Sequence, residues 1–291
     1  MPNWNAIFQA EMDVDRSKHF SILDEIARNL CGHLNFPTCL DAAVLVRNVL
    51  NDPNATTERV AQVVSVEPLI SSKLLRLANS ASYNTSGRQI SDLASAISRL
   101  GFEVVRTTSL AVALDQMLRS RNLASFTDIA RNAWEHSLQV AAIARVLARR
   151  LGRINPDQAM LAGLVHDIGI FYLLYCAAEF PEYSNDRSHM IELLIGWHDS
   201  IGESLLHVLG LPETITTAIR EHDRLQNVEN PCTVSDVLYF ANLLAGCDHD
   251  WLEAGLPPEE SALRKIDRER FADLIEDAEE DIRELKQALA A

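Results

Sequence analysis

From His19 onward, nearly every segment of this 291-residue chain places its apolar residues three and four positions apart. This spacing gathers apolar side chains on one stripe of an α-helix, whereas a half-buried strand needs strict alternation. We find no alternating run of convincing length, and breaks such as Gly101 and Gly152 separate the helical segments. The pattern predicts an all-α protein, a multi-helix bundle with an N-terminal and a C-terminal helical subdomain.

The chain divides into four predicted parts. These are a tail at residues 1–17, an N-terminal helical part at 18–125, a second helical part at 126–250 and an acidic C-terminal helix at 251–291. The predicted C-terminal helix carries an apolar seam of Phe271, Ile275, Ala278, Ile282, Leu285 and Leu289. One seam this short is weak for a coiled coil, so we expect it to pack on the body, with a partner contact or a homodimer as the alternative.

Charge and composition exclude several classes of protein. The net charge of −15 makes a nucleic-acid surface and docking on an anionic membrane unexpected, since Lys and Arg drive both. The N-terminus lacks the basic and apolar regions of a signal peptide, and no uninterrupted run of about 18 apolar residues occurs. The five cysteines are scattered without C-x-x-C spacing, which indicates neither disulfides nor a thiolate zinc site. We therefore expect a cytoplasmic protein.

The apolar stretch Leu161–Gly169 ends in a histidine, a carboxylate and a glycine. Asn155 and Pro156 before it are typical of a helix start, and Gly169 is predicted to supply the left-handed turn that ends the helix. His166 and Asp167 would then lie at the tip of a buried helix. Both are costly to desolvate alone, and together they are a natural pair of metal ligands.

Other helical segments offer partners for this pair. Five successive segments each place a ligand-competent position on an apolar stripe: His136, His166 with Asp167, His198, His222 with Asp223, and Asn242. Helical bundles build metal sites from inward-facing side chains in this manner. The alternative is that these histidines bond to one another and to the backbone without any metal.

The remaining histidines lack this setting. The pair His249-Asp250 is predicted to lie in a solvated loop, and Asp199 need not point inward although it follows His198. Four histidines are interpreted as structural or exposed, namely His19, His33, His189 and His207.

At this point the residues resemble the HDOD family of bacterial signalling modules, relatives of the HD superfamily of metal-dependent phosphohydrolases. In the N-terminal part the resemblance rests on Leu74–Ala81 and Ile90–Gly101. In the second part it rests on Trp134-Glu-His136-Ser, Ala162-Gly-Leu-Val-His166-Asp167-Ile-Gly169, His198 followed by Gly202, Leu211-Pro212 and the segment Ala218 to His222.

The resemblance implies a set of metal ligands. His136, His166 and Asp167 stand at three of the four positions that hold the first metal in HD enzymes, and the fourth position is Asn242 instead of an aspartate. A neutral amide is a weaker ligand, which puts that metal in doubt. His198 and His222 resemble the added ligands of the dinuclear branch, Asp223 stands where that branch has a histidine, and Asp167 would be the bridge.

Two departures argue against catalysis. Ile170 stands where the enzymes have a lysine that could hold a phosphate, and the glycine-tyrosine-proline signature expected after His222 is absent. The resemblance therefore implies a regulatory module that acts through contact with another signalling protein and keeps a pocket for one or two divalent ions. Iron, manganese or zinc would suit these ligands. The alternative is an active phosphohydrolase on a nucleotide or cyclic dinucleotide, with His166 and Asp167 as its catalytic residues.

Overall fold

The computed structural model describes residues 19–31, 40–223, 228, 231–246 and 271–289, without the side chains of residues 31, 284, 285, 288 and 289. The first helices are α1 Phe20–Cys31, α2 Asp41–Leu50, α3 Thr57–Ser65, α4 Pro68–Ala78, α5 Leu93–Leu100 and α6 Phe102–Leu118. After a 3₁₀ turn at Arg121–Phe126 follow α7 Thr127–Leu151, α8 Pro156–Val165, α9 Ile168–Ala177, α10 Pro181–Asn185, α11 Arg187–Val208, α12 Glu213–Glu221, α13 Val234–Ala245 and α14 Ala272–Leu289. Within these ranges the chain contains no strand, so the predicted all-α class is confirmed.

Local signals in the sequence set several helix ends. The side chain of Asn155 accepts hydrogen bonds from two backbone N–H groups at the start of α8, with Pro156 at the first helical position. Thr233 and Asp236 form a reciprocal capping box at the start of α13. Gly152 ends α7 with a φ of 67°, a conformation that glycine adopts without a steric penalty. These three boundaries agree with the sequence prediction.

The apolar side chains form two core clusters. The smaller one is built by α2 to α6, around residues such as Val60, Ile70 and Ile97. The larger one extends through α7 to α13, and it includes Ile22 and Ile26 of α1. Although α1 belongs by sequence position to the N-terminal part, it therefore packs on the second part of the molecule.

The C-terminal helix α14 packs back on the body, the outcome that the sequence favours. Leu274 and Ala278 are buried in the larger core, and Asp281 is buried beside the guanidinium groups of Arg145 and Arg149 on α7. On the other side, Arg76 of α4 donates a hydrogen bond to the carbonyl oxygen of Gln287. The helix thus contacts both parts of the protein, and a homodimer through it stays a prediction.

The prediction that Gly169 ends a helix is wrong. Helix α8 ends at Val165, and Gly169 lies in the first turn of α9. Its role is close packing: a Cβ atom at this position would come within 1.9 Å of the carbonyl oxygen of His198 in α11. A glycine is needed here because α9 and α11 touch backbone to backbone, next to His166 and Asp167.

The segment Pro156–Ala177, which contains α8 and α9, is apolar and long enough to span a membrane by length and composition. In this structure 89% of its most apolar window is buried inside the protein. It forms the centre of the larger core, and the two ligand-competent residues His166 and Asp167 interrupt it.

Candidate metal centre

The seven predicted site residues lie together at one place in the larger core. They come from α7 (His136), the junction of α8 and α9 (His166 and Asp167), α11 (His198), the end of α12 (His222 and Asp223) and α13 (Asn242). The ring centroids of His136 and His166 are 5.2 Å apart, and those of His166 and His222 are 5.0 Å apart. Side chains separated by up to 106 positions in the sequence are therefore in contact.

Three of the histidines have the same orientation. Nδ1 lies close to a backbone carbonyl oxygen one helical turn earlier: Gly163 for His166, Leu194 for His198 and Ile219 for His222, at 2.8, 2.8 and 2.6 Å. Because a carbonyl can only accept, each Nδ1 must carry a proton and donate it. Each Nε2 is then directed away from its own helix, the arrangement that metal-ligating histidines adopt.

The carboxylate of Asp167 lies between two of these Nε2 atoms. Its Oδ2 is 3.2 Å from Nε2 of His166, and its Oδ1 is 3.4 Å from Nε2 of His222. On the far side, Oδ2 of Asp223 is 3.1 Å from Nε2 of His198. The Asp167 carboxylate thus faces His166 with one oxygen and His222 with the other, as a ligand that bridges two ions would.

Burial and charge act in opposite directions on these groups. Burial disfavours the charged form of every one of them, but the opposite charges nearby outweigh it. The carboxylates Asp199 and Asp223 hold the pKa of His198 well above its ordinary value, and Asp223 and Asp167 raise the pKa of His222 to about 9. The imidazoles of His166 and His222 hold the pKa of Asp167 well below its usual range. The centre therefore requires positive charge between its carboxylates, which protons or a divalent ion can supply.

His136 is held differently from the other three histidines. Its Nε2 lies 2.9 Å from Oδ1 of Asn242, whose Nδ2 donates a longer hydrogen bond of 3.5 Å to Oδ1 of Asp223. An amide oxygen accepts a hydrogen bond from a protonated Nε2, so this pair is stable as a hydrogen bond without any ion. His136 and Asn242 are thus hydrogen-bonded to each other, at two positions where the resemblance to HD enzymes implies ligands of the first metal.

Asp199 is a residue of the centre that sequence reasoning did not identify. Its Oδ1 lies 2.9 Å from Nε2 of His198, which is an ion-pair contact, but the two groups do not form a hydrogen bond. The recurring His-Asp dipeptide was the available signal, but two successive helical residues point about 100° apart, so an inward His198 does not imply an inward Asp199. The other dipeptide in question, His249-Asp250, lies outside the described residues.

The donor atoms fit one or two divalent cations. They form two groups, His136 with His166 and Asp167, and His198 with Asp199, His222 and Asp223, in each of which one ligand atom per residue lies within 4.8 Å of the others. Ligand atoms at right angles around an ion at a bond length of about 2.1 Å are about 3.0 Å apart. The separations around Asp167, at 3.2 and 3.4 Å, are close to that value. Imidazole with carboxylate suits iron, manganese or zinc, so the ligands do not select one metal.

The centre is enclosed by the core on most sides. His136, His166, Asp167, His198 and His222 are only 1–3% exposed, while Asp199 and Asp223 are partly exposed. Ile170, one turn into α9, is completely buried among apolar side chains. The position that could present a phosphate-binding lysine is therefore part of the hydrophobic core.

An all-α core that gathers histidines and aspartates from four segments, with an asparagine from a fifth, defines a helical domain with a candidate metal centre. A family model supplies the assignment: the model of the HDOD domain matches residues 36–225, most of the chain. The protein belongs to the HDOD family.

Two solved structures share this fold with the chain. A candidate metal-dependent phosphohydrolase from Shewanella amazonensis SB2B superposes with a TM-score of 0.66 at 23% identity, covering 91% of this chain and 98% of that one. A candidate signal transduction protein from Marinobacter aquaeolei VT8 superposes with a TM-score of 0.58 at 20% identity, covering 94% and 66%.

Among curated proteins, Ribonuclease Y of Geotalea uraniireducens (strain Rf4) is 33% identical over 115 residues, which are 40% of this chain and 18% of that protein. The chain spans 40% or less of the length of the curated relatives it matches.

Proposed function

We propose that this protein is a regulatory module of bacterial signal transduction that acts in the cytoplasm by contact with another protein. Its HD-like centre would bind one or two divalent ions as a structural or sensing element. The observation that carries the proposal is that five of the ligands are buried and that Ile170, at the position of a phosphate-binding lysine in HD enzymes, belongs to the hydrophobic core. Family membership and the structural similarity to a signal transduction protein from Marinobacter aquaeolei support it.

The residues that would hold the ions follow from the geometry. His166, Asp167 and His136 would contribute to one ion, with Asn242 beside them. His198, His222, Asp223 and Asp199 would contribute to the other, which also reaches Asp167. The Nδ1–H bonds to backbone carbonyls would keep three of the imidazoles in the ligating orientation without the ion.

A phosphohydrolase acting on a nucleotide or cyclic dinucleotide is the second candidate, favoured by one specific observation. The two oxygens of Asp167 face the two ligand groups separately, which suits a pair of ions sharing a carboxylate. Bound ions would polarise phosphoryl oxygens and acidify water. The names of the Shewanella structure and of Ribonuclease Y also support this candidate.

The test begins with the metal content of protein purified without a tag or chelator, measured by mass spectrometry for the wild type and for His166→Ala with Asp167→Ala. The exposed His207→Ala, on the same helix as His198 but remote from the ligands, is the matched control. We expect metal in the wild type and the control, and its loss in the double variant together with a lower melting temperature.

The same proteins, loaded with manganese, iron or zinc, would then be incubated with bis-p-nitrophenyl phosphate and with cyclic dinucleotides. If the protein is a regulatory module, we expect the wild type to show no more metal-dependent turnover than the double variant. Turnover by the wild type that the double variant lacks would replace it with the phosphohydrolase. Absence of metal from the wild type even after loading would overturn the metal-binding part of both candidates.

A further inference from the structure

A second group of potential ligands lies at the start of α11, away from the candidate metal centre. His19, at the start of α1, is buried, and His189, in the first turn of α11, is partly exposed. Their ring centroids are 4.6 Å apart although 170 positions separate them in the sequence. Glu192, one turn after His189, adds an exposed carboxylate. From these three residues one ligand atom each can be chosen so that all lie within 4.8 Å of one another.

We propose that His19, His189 and Glu192 form an auxiliary binding site for a divalent ion such as zinc, and that the bound ion links α1 to α11. Two imidazoles and one carboxylate are a ligand set that zinc uses with three protein ligands and one open position. The spacing His-x-x-Glu places both side chains on the same face of the helix, because residues three apart are neighbours there. Helical metalloproteins use the same spacing in the order Glu-x-x-His.

The contact between His189 and Glu192 requires only a small adjustment to hold an ion. Ligand atoms around a tetrahedral zinc at about 2.1 Å are about 3.4 Å apart. Nδ1 of His189 lies 3.9 Å from Oε2 of Glu192. The Glu192 carboxylate is 45% exposed, so a rotamer change can close this gap without moving the backbone.

Tyr183 gives His19 a defined orientation. Its hydroxyl lies 2.8 Å from Nδ1 of His19, and both groups are buried. A hydrogen bond at one ring nitrogen is the usual way in which proteins orient the other nitrogen toward a metal. Tyr183 would therefore position the ligand without touching the ion.

The site has a mechanical consequence for the fold. α1 is joined to the larger core through Ile22 and Ile26. An ion held jointly by α1 and α11 would stabilise this docking by mass action, increasingly as the free ion exceeds its dissociation constant. The inference does not depend on the function of the central site, since it shares no residue with it.

The test compares wild-type protein with Glu192→Gln by equilibrium dialysis against zinc chloride, with His207→Gln as the control for an exposed residue on the same helix. Glu192→Gln keeps both imidazole rings and the Tyr183 contact, so a purely structural ring stack would not respond to it. We expect the wild type and the control to bind one zinc more than Glu192→Gln, or to bind it at least about tenfold more tightly.

Amide hydrogen exchange of α1 supplies the second readout. Zinc should slow exchange in Phe20–Cys31 of the wild type and leave it unchanged in Glu192→Gln. Equal zinc stoichiometry and affinity in the two proteins, with α1 exchange insensitive to zinc, would overturn the proposal. Because the comparison is a difference between two proteins with the same central ligands, its failure would leave the proposed function standing.

Discussion

The segment Thr107–Ser109 of α6 and the candidate metal centre bury polar side chains in different ways. In α6, which borders both cores, Thr107, Thr108 and Ser109 donate their hydroxyl hydrogens to carbonyl oxygens one turn earlier in the same helix. In the candidate metal centre, by contrast, Asp167 also contacts His222 at the end of α12, and Asn242 bonds to His136 of α7.

The difference separates two kinds of buried polar group. A hydroxyl satisfied within its own helix needs no tertiary structure, and it can be replaced by an apolar group of similar shape at small cost. A carboxylate satisfied by imidazoles from distant helices is stable only when the whole arrangement is assembled, and removing one member leaves the others buried and unmatched. Asp167 of the candidate metal centre belongs to this second kind.

The largest expected effect is that of Asp167→Asn, because it removes the charge that both halves of the centre share. We expect metal content to fall in both ligand groups, and the free energy of unfolding of the metal-free protein to drop by about 3–5 kcal/mol, the usual cost of breaking a buried charge pair. Urea denaturation would measure it, with Thr108→Val as the control at about 1 kcal/mol or less. Equal losses in the two variants would contradict the distinction between these two kinds of buried polar group.

Asp281→Asn tests whether a buried pair outside the centre behaves in the same way. Asp281 of α14 is buried against Arg145, while Asp277, one turn earlier, forms an exposed pair with Arg150. We expect Asp281→Asn to cost about 3 kcal/mol and Asp277→Asn less than about 1 kcal/mol. If the two variants unfold at the same urea concentration, the buried pair does not hold α14 on the body.

Gly169→Ala is expected to destabilise the protein by about 1–3 kcal/mol, because the added methyl group collides with the backbone of α11. The displacement should also weaken metal binding, since His198 lies at the contact. Gly196, on an open face of α11, is the matched control, and Gly196→Ala should stabilise by about 0.5–1 kcal/mol. Thermal melts of the two variants that shift in the same direction would contradict this account of Gly169.

The smallest expected effect is the change of metal affinity with pH. With the pKa of His222 raised to about 9, this imidazole is protonated at neutral pH in the metal-free protein, and an ion must displace the proton. Metal affinity should therefore rise between pH 7 and pH 9, by up to about tenfold per pH unit for each proton displaced, and level off above.

The stability of the metal-free protein should change in the opposite direction. A raised pKa contributes stability that is complete below the ordinary histidine value of about 6.5 and is lost as the pH rises through about 9. Calorimetric titrations in buffers across this range, together with urea melts of the metal-free protein, would check both signs. Metal affinity that is independent of pH would show that His222 is not a ligand.

Helical periodicity was sufficient to predict most of this structure. The apolar stripes of α7 and α11 placed His136 and His198 toward the interior, and both are buried. The helix starts at Asn155 and Thr233 were also predictable, because a cap depends on a few consecutive residues. His166 could also be identified from a few consecutive residues, because it lies at the end of a long apolar run.

Helical periodicity did not predict the contacts between helices. The Asn242 oxygen bonds to His136, Asp199 approaches His198, and Gly169 brings two helix backbones into contact. The buried pair of Asp281 with Arg145 and the docking of α1 on the second core are also contacts between helices.

The sequence by itself determined the helices, several of their ends and the polar positions on their apolar faces, since these depend on spacing within about four residues. Only the tertiary structure decided which carboxylate lies between which imidazoles. Those distances depend on how helices far apart in the chain cross and pack, and a shift of a single turn, about 5.4 Å, would separate the ligand atoms that come from different helices.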